Sequence, residues 1–105
     1  MLIQITTDKN IEGTEATHAH YSGIINDELE RFDEHITRVI AHLSDENAGK
    51  TAGDDQRCVM EASMKGTGPV VVTVVGPTMH QSVKAAAEKV AALLEKTMEK
   101  RRVQS

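Results

Sequence analysis

The chain has 105 residues, 39% of them hydrophobic, and a net charge of −4 at pH 7. This length and composition suit one domain with one core, which we expect over residues 1–105, with a basic tail at 96–105. No apolar run approaches the roughly 20 residues of a membrane-spanning helix, and no basic leader with an apolar stretch opens the chain, which disfavours membrane and secreted proteins. The single cysteine, Cys58, excludes an intramolecular disulfide and fits the cytoplasm.

The first half of the chain predicts a strand, a helix and a second strand. Leu2–Thr7 alternates apolar and polar residues, as strands do. Residues 15–34 have apolar side chains at helical spacing behind a Thr14 N-cap, and their outer face is strongly acidic. Ile36–Leu43 returns to alternation and predicts a strand. The polar residues 44–55 are expected to form a long loop.

The second half predicts a hairpin followed by a long helix. Arg57–Lys65 alternates again, and the glycines of residues 66–68 indicate a tight turn before the β-branched strand Val70–Val75. Thr78, with a glutamine three residues later, has the pattern of a capping box. The amphipathic helix that follows is expected to run from about Met79 to Arg101.

The element order β-α-β-β-β-α indicates an α+β fold with a four-stranded sheet. Both helices are amphipathic, and the simplest arrangement packs them on the same face of the sheet. The other face is then open, which is common in sheets with antiparallel strands. We expect the open face to present Arg38, Ile40, His42, Arg57, Val59, Glu61 and Lys65.

Candidate chemical groups are few, and we expect no catalytic residues, cofactor, metal or small-molecule substrate. His18 and His20 are two residues apart, so they do not share a helix face, and Glu15 or His80 would have to converge with them to hold a metal. Surface histidines are the simpler interpretation. Cys58 lies on the inward side of its strand, which predicts a buried structural thiol. No nucleotide-binding or hydrolase motif is present.

Charge is divided unevenly along the chain. Residues 1–55 contain 4 basic and 12 acidic side chains, a net of −8, whereas residues 56–105 contain 8 and 4, a net of +4. Such a basic end can contact RNA phosphates in a salt-dependent way. Cations at a helix C-terminus can also serve the helix dipole alone, and interleaved glutamates dilute this group. The basic residues of the last helix are Lys84, Lys89, Lys96, Lys100, Arg101 and Arg102.

Two stretches, in this element order, give the chain a family resemblance. Residues 29–46 (LERFDEHITRVIAHLSDE) lead from the end of a helix into the second strand, and residues 79–102 form an Ala-rich amphipathic helix closed by Lys and Arg. Over nearly its whole length the chain resembles the ribosome hibernation-promoting factors, also called ribosomal subunit interface or sigma-54 modulation proteins. It is similar to their short members, which lack the extra ribosome-pairing domain.

This resemblance implies a fold like that of double-stranded-RNA-binding domains and a function without catalysis. It implies binding to 16S rRNA at the decoding and tRNA region of the small ribosomal subunit, with repression of translation in resting or stressed cells. The first helix departs from the family pattern because it is acidic, with Arg31 as its one basic residue. The expected RNA contacts are Lys84, Lys89, Lys96, Lys100, Arg101 and Arg102, together with Arg38, Arg57 and Lys65 on the open sheet.

The acidic first helix supports an alternative of another class. The chain would then be a protein–protein interaction module without strong RNA binding, either a homodimer or a domain that meets a basic partner. Light scattering and ribosome co-sedimentation distinguish the two functions.

Overall fold

The computed structural model describes residues 1–46 and 55–104, the last four of these by their backbone alone. The elements follow the predicted β-α-β-β-β-α order. A short 3-10 turn at Glu30–Phe32 follows the first helix. The bounds are β1 Leu2–Thr7, α1 Glu15–Leu29, β2 Ile36–Asp45, β3 Gln56–Met64, β4 Val70–Gly76 and α2 Met79–Gln104.

The four strands form one mixed sheet in the order β1-β2-β3-β4. β1 runs parallel to β2, and α1 makes the crossover that a parallel pair requires. The β2–β3 and β3–β4 pairs are antiparallel, so the predicted hairpin is confirmed. Gly66 supplies the left-handed residue of its turn, with φ of 80°.

Both helices cover the same face of the sheet, as predicted. α1 packs on β1 and on α2, and α2 packs on β3 and β4. A single core lies between the layers, so the helices and sheet stabilise each other by burying apolar surface. The buried side chains include Ile25 and Leu29 of α1, Val39, Ala41, Leu43, Cys58, Met60 and Ala62 of the sheet, and Val83, Ala86, Ala87, Val90 and Leu94 of α2.

The N-terminal helix begins where it was predicted but ends earlier. The N–H of Thr17 donates to Oγ1 of Thr14 at 3.1 Å, which confirms the cap. The predicted helix to residue 34 is wrong at its end, because α1 stops at Leu29 and tightens into the 3-10 turn. This turn buries Phe32 against the core.

The second strand is longer than its apolar pattern. Ser44 and Asp45 were expected in a loop, yet they belong to β2 and pair with β3. The N–H of Glu46 then donates to the carbonyl of Asp55 at 2.9 Å. Backbone pairing continues here because it does not require apolar side chains. Most of the predicted loop, residues 47–54, lies outside the described residues.

A register shift between Ile36 and Arg38 interrupts the start of β2. Simple alternation would place Ile36 on the open face with Arg38. Because the bulge inserts Thr37 into the ladder, Ile36 turns to the core and is buried. The open face otherwise has the predicted alternation as far as Met64, but Lys65, predicted on that face, lies in the turn after β3.

The junction between β4 and α2 is closely packed. The N–H of Gln81 donates to Oγ1 of Thr78 at 3.1 Å, which confirms the predicted helix start. Ser82 is buried, and its hydroxyl donates to the carbonyl of Gln56 at 2.6 Å. A Cβ at Gly76 would lie 2.9 Å from that hydroxyl oxygen, so this position has no room for a side chain.

The C-terminal part of α2 extends past the core. Leu94 is the last fully buried residue of the helix, and Met98 is partly buried against the core. A rise of about 1.5 Å per residue carries the backbone roughly 15 Å from Leu94 to Gln104. No helix in residues 1–46 or 55–104 is long and apolar enough to cross a membrane.

Candidate nucleic-acid interface

Charged residues on the second half of α2 occur as neighbouring Glu-Lys pairs, at 88–89, 95–96 and 99–100. Pairs that are seven or four residues apart repeat at nearly whole helical turns, and adjacent residues are about 100° apart around the axis. The acids and bases therefore separate into two parallel rows. We name Glu88, Glu95 and Glu99 the glutamate flank, and Lys89, Lys96 and Lys100 the lysine stripe.

The glutamate flank lies on the side of α2 where α1 ends. Nη2 of Arg31, in the 3-10 turn after α1, is 2.8 Å from Oε1 of Glu95. The same guanidinium lies 4.7 Å from the ring centre of Phe32. Arg31 thus ties the two helices together through an ion pair and an aromatic contact. A groove lined by Arg31, His35, Glu99 and also Lys96 continues along this side.

The lysine stripe has no such engagement. Lys89, Lys96 and Lys100 are all exposed, and within residues 1–46 and 55–100 none of them forms an ion pair. The adjacent glutamates project about 100° away around the helix. Glu99, three residues after Lys96, is its neighbour on the helix surface, but no ion pair joins the two side chains. Three cations are therefore presented together to solvent, as a phosphate-binding surface requires.

Lys84, predicted with these lysines as an RNA contact, lies apart from the stripe. It borders a small pocket with Asp27 and Glu28 of α1, on the side of α2 that faces α1. An acidic neighbourhood weakens its attraction for a polyanion. The structure therefore brings together three of the four predicted lysines of α2 and separates Lys84 from them.

The remaining predicted contacts occupy other places. Arg38 is exposed on the open face of the sheet, opposite the helices. Arg57 lies on the same face, and its Nη1 contacts Oε1 of Glu46 at 3.2 Å. Lys65 is exposed in the turn after β3. Arg101 and Arg102 continue the α2 backbone, but their side chains lie outside the described residues.

The acidic surface of α1 does not oppose the lysine stripe. Arg31 meets Glu95, and Lys84 meets the pocket of α1, so α1 occupies the glutamate-flank side of α2. Lys89 and Lys100 therefore lie away from α1, whereas Lys96 borders the groove beside the turn that follows α1. This separation removes the electrostatic conflict that the acidic helix raised in the sequence.

The two histidines of α1 separate as their spacing predicted. Nε2 of His18 is buried beside Thr7 and Gly13, and no hydrogen-bond partner for it occurs among the described residues. Nε2 of His20 instead lies 3.4 Å from Nδ1 of His80 on α2. The sequence indicated only that Glu15 or His80 would have to converge with these histidines to hold a metal, and it favoured surface histidines, because residues so distant in the chain give no local signal of contact. The described residues contain no group of three or more metal-ligating side chains.

The remaining chemical candidate is inert. Cys58 is fully buried in β3, which confirms the predicted structural thiol. Burial raises the pKa of the Cys58 thiol to about 12, because the thiolate would lose its hydration. The thiol is therefore protonated at neutral pH and is not a nucleophile.

Comparisons with known proteins agree with this architecture. The crystal structure of the Thermus thermophilus Protein Y N-terminal domain is similar, with a TM-score of 0.68 and 17% identity over 92% of this chain and 99% of that one. A ribosomal subunit interface protein from Coxiella burnetii gives a TM-score of 0.69 and 14% identity over 94% and 99%. At these identities the likeness shows the shared fold.

Sequence comparison identifies the family. No curated protein sequence matches the chain. The model of the family described as sigma 54 modulation protein / S30EA ribosomal protein matches residues 3–102, nearly the whole chain. The resemblance seen in the sequence is thereby confirmed, and the chain belongs to the sigma 54 modulation protein / S30EA ribosomal protein family.

Proposed function

We propose that the protein is a non-enzymatic factor that binds the small ribosomal subunit and represses translation in resting or stressed cells. Its target is 16S rRNA in the decoding and tRNA region, and its place of action is the cytoplasm. Family membership supports the ribosome as partner, as does the similarity to the Coxiella burnetii ribosomal subunit interface protein. The observation that carries the proposal for this chain is the exposed lysine stripe, which forms no ion pair with the side chains that the structure describes.

The stripe suits a phosphate backbone because of its spacing. Lys96 and Lys100 are one turn apart, and Lys89 is two turns before Lys96, so the three ammonium groups extend along about 16 Å of one helix flank. RNA binding through phosphates gains free energy from the release of counterions. Arg101 and Arg102 follow in the sequence and would add two cations at the same end of the helix.

The other predicted RNA contacts have a secondary place in this proposal. Arg38, Arg57 and Lys65 belong to the open-sheet side or the β3–β4 turn, so RNA would reach them only by enclosing the domain. Lys84 would contribute little beside its acidic pocket. Occupation of a cleft between parts of the subunit would allow both sides to be contacted, with the lysine stripe as the principal surface.

Co-sedimentation with purified small subunits at two salt concentrations tests the proposal. Replacement of Lys89, Lys96 and Lys100 by Ala should weaken binding by at least tenfold and lower the slope of log K against log salt by about 2. Lys84→Ala is the matched control, because it removes a lysine from the same helix outside the stripe. Its binding should remain close to that of the unmodified chain.

Two results would overturn parts of this proposal. Equal binding of the triple variant and the unmodified chain would exclude the stripe as the contact surface. A chain that never sediments with small subunits, yet is dimeric by light scattering, would instead support the protein–protein interaction module.

Inhibition of a cell-free translation reaction, lost in the triple variant, is expected if the bound factor represses translation.

A further inference from the structure

A pair of exposed histidines joins the two helices at the end opposite the basic tail. Nε2 of His20, in α1, and Nδ1 of His80, in the first turn of α2, are 3.4 Å apart. Their ring centres are 5.5 Å apart, and the ring planes are inclined by 38°. We propose that His20 and His80 form a binding site for a divalent transition-metal ion, such as Zn²⁺, Ni²⁺ or Cu²⁺, which clasps α2 to α1.

The distance between the two nitrogens suits a shared metal ion. Zinc binds imidazole nitrogen at about 2.0–2.1 Å, and two such ligands at a tetrahedral angle lie about 3.4 Å apart. Imidazole is also a preferred ligand of Cu²⁺ and Ni²⁺. The two nitrogens therefore have the required separation, and chelation needs only small rotations of exposed rings.

The alternative partner for each nitrogen is the other imidazole. A hydrogen bond between them needs a proton on one of the two nitrogens, and 3.4 Å exceeds the usual range of about 2.7–3.2 Å for a hydrogen bond from N–H. A metal ion instead uses the lone pairs of both nitrogens at once. Nδ1 of His20 and Nε2 of His80 then carry the ring protons.

The surroundings restrict the ring of His20. Tyr21 packs edge-on against it, with ring centres 5.0 Å apart and an angle of 69°. A ligand already held near its bound orientation loses less entropy on binding. Because the described residues contain no third ligand at this position, water completes the coordination shell. The site is accordingly a weak, exchangeable one.

This histidine pair is separate from the proposed RNA contact. Lys89, the nearest lysine of the stripe, is nine residues beyond His80 on the same helix, which corresponds to about 14 Å along the axis and to the opposite side of the helix. Metal binding would therefore stabilise the packing of α1 on α2 without covering the lysine stripe. Failure of one proposal leaves the other unaffected, because they use different residues and different measurements.

Calorimetric and thermal titration of the full chain, without a polyhistidine tag and after treatment with a chelator, tests the inference. One equivalent of Zn²⁺, Ni²⁺ or Cu²⁺ should bind. The Tm should rise by about 5–10 °C when free metal reaches about ten times Kd. His20→Gln and His80→Gln should each remove most of this shift. His42→Gln, another exposed histidine, is the matched control and should retain it.

Imidazole nitrogen resonances give a readout that does not depend on stability. Metal should shift the ¹⁵N signals of His20 and His80 together, with that of His42 unchanged. The proposal is overturned if no metal raises the Tm, if either glutamine variant responds like the unmodified chain, or if the signals of the pair do not move. The pair would then be a hydrogen-bonded contact between helices.

Discussion

The beginning and the end of α2 have the same regular backbone but different functions. The beginning is capped by Thr78, fastened to β3 through Ser82 and buried against the sheet as far as Leu94. The end carries exposed lysines, and among the described hydrophobic side chains beyond Leu94 only Met98 packs partly against the core. One helix therefore supplies much of the core in its first part and presents most of the candidate RNA surface, Lys96 and Lys100, beyond it. Stability and binding can consequently be altered separately.

The largest expected effect distinguishes two neighbouring leucines at the boundary. Leu94→Ala should lower the free energy of unfolding by about 2–5 kcal/mol, because it removes a buried side chain and leaves a cavity. Leu93→Ala, where the side chain is 40% exposed, should cost less than about 1 kcal/mol. Urea denaturation of both variants measures the difference. Equal losses of unfolding free energy in the two variants would contradict the burial of Leu94 and the exposure of Leu93.

Alkaline pH should weaken the layer beneath the packed half of α2. The pKa of Cys58 is raised from 9.0 to about 12, so the thiol ionises in the unfolded chain before it does so in the fold. Its contribution to stability is complete below about pH 9 and is lost as pH rises to about 12, by roughly 2–4 kcal/mol.

Cys58→Ala provides the control for this alkaline loss. The decline in free energy of unfolding above pH 9 should be shallower in Cys58→Ala than in the unmodified chain. The pKa of Tyr21 is also raised by burial and acts in the same direction, but it is present in both proteins. Parallel curves for the two proteins would contradict the assignment to Cys58.

A double-mutant cycle tests how closely the start of α2 packs against β3 and the end of β4. Gly76→Ala should destabilise the fold by about 1–3 kcal/mol, because its Cβ would lie 2.9 Å from Oγ of Ser82. Ser82→Ala should cost about 1–2 kcal/mol by removing the hydrogen bond to Gln56. Together the two changes should cost less than their sum, since the nearest remaining contact is 3.8 Å away. Additive losses would indicate that Gly76 is needed for another reason.

The smallest expected effects on stability come from removing the partner of the glutamate flank and from removing one lysine of the stripe. Arg31→Ala should cost about 1 kcal/mol, because it removes an exposed ion pair to Glu95 and the contact with Phe32. Lys96→Ala should change the free energy of unfolding by less than about 0.5 kcal/mol. The urea denaturation midpoints of the two variants measure this difference in the free energy of unfolding. A larger loss for Lys96→Ala would mean that the stripe is structural.

Much of the fold follows from local patterns that the sequence displays directly. Alternation locates the strands, Thr14 and Thr78 mark the helix starts, and Gly66 marks the hairpin turn. Two features of the fold could not be predicted from the sequence, because backbone pairing determines them and no side-chain pattern marks them. Ser44 and Asp45 continue β2 without an apolar pattern, and the bulge at Thr37 reverses the side to which Ile36 points.

The sequence predicted which cations belong to the candidate site, but it did not predict how they are arranged in the folded chain. Helical spacing alone places Lys89, Lys96 and Lys100 together and Lys84 elsewhere. Which flank remains open depends on where α1 packs, and the contact between Arg31 and Glu95 establishes that only in the folded chain. The approach of His20 to His80 depends equally on the packing of the two helices, because 60 residues separate them.

The outer edge of β4 has a consequence for concentrated solutions. Within the described residues this strand pairs only with β3, and its sequence, VVVTVVG, contains no charge. Val71 and Val75 are also 53% and 46% exposed. An uncharged β-branched edge is a template for intermolecular pairing, so warming at high concentration should produce fibrillar aggregates. Val71→Lys should delay their formation without altering the core.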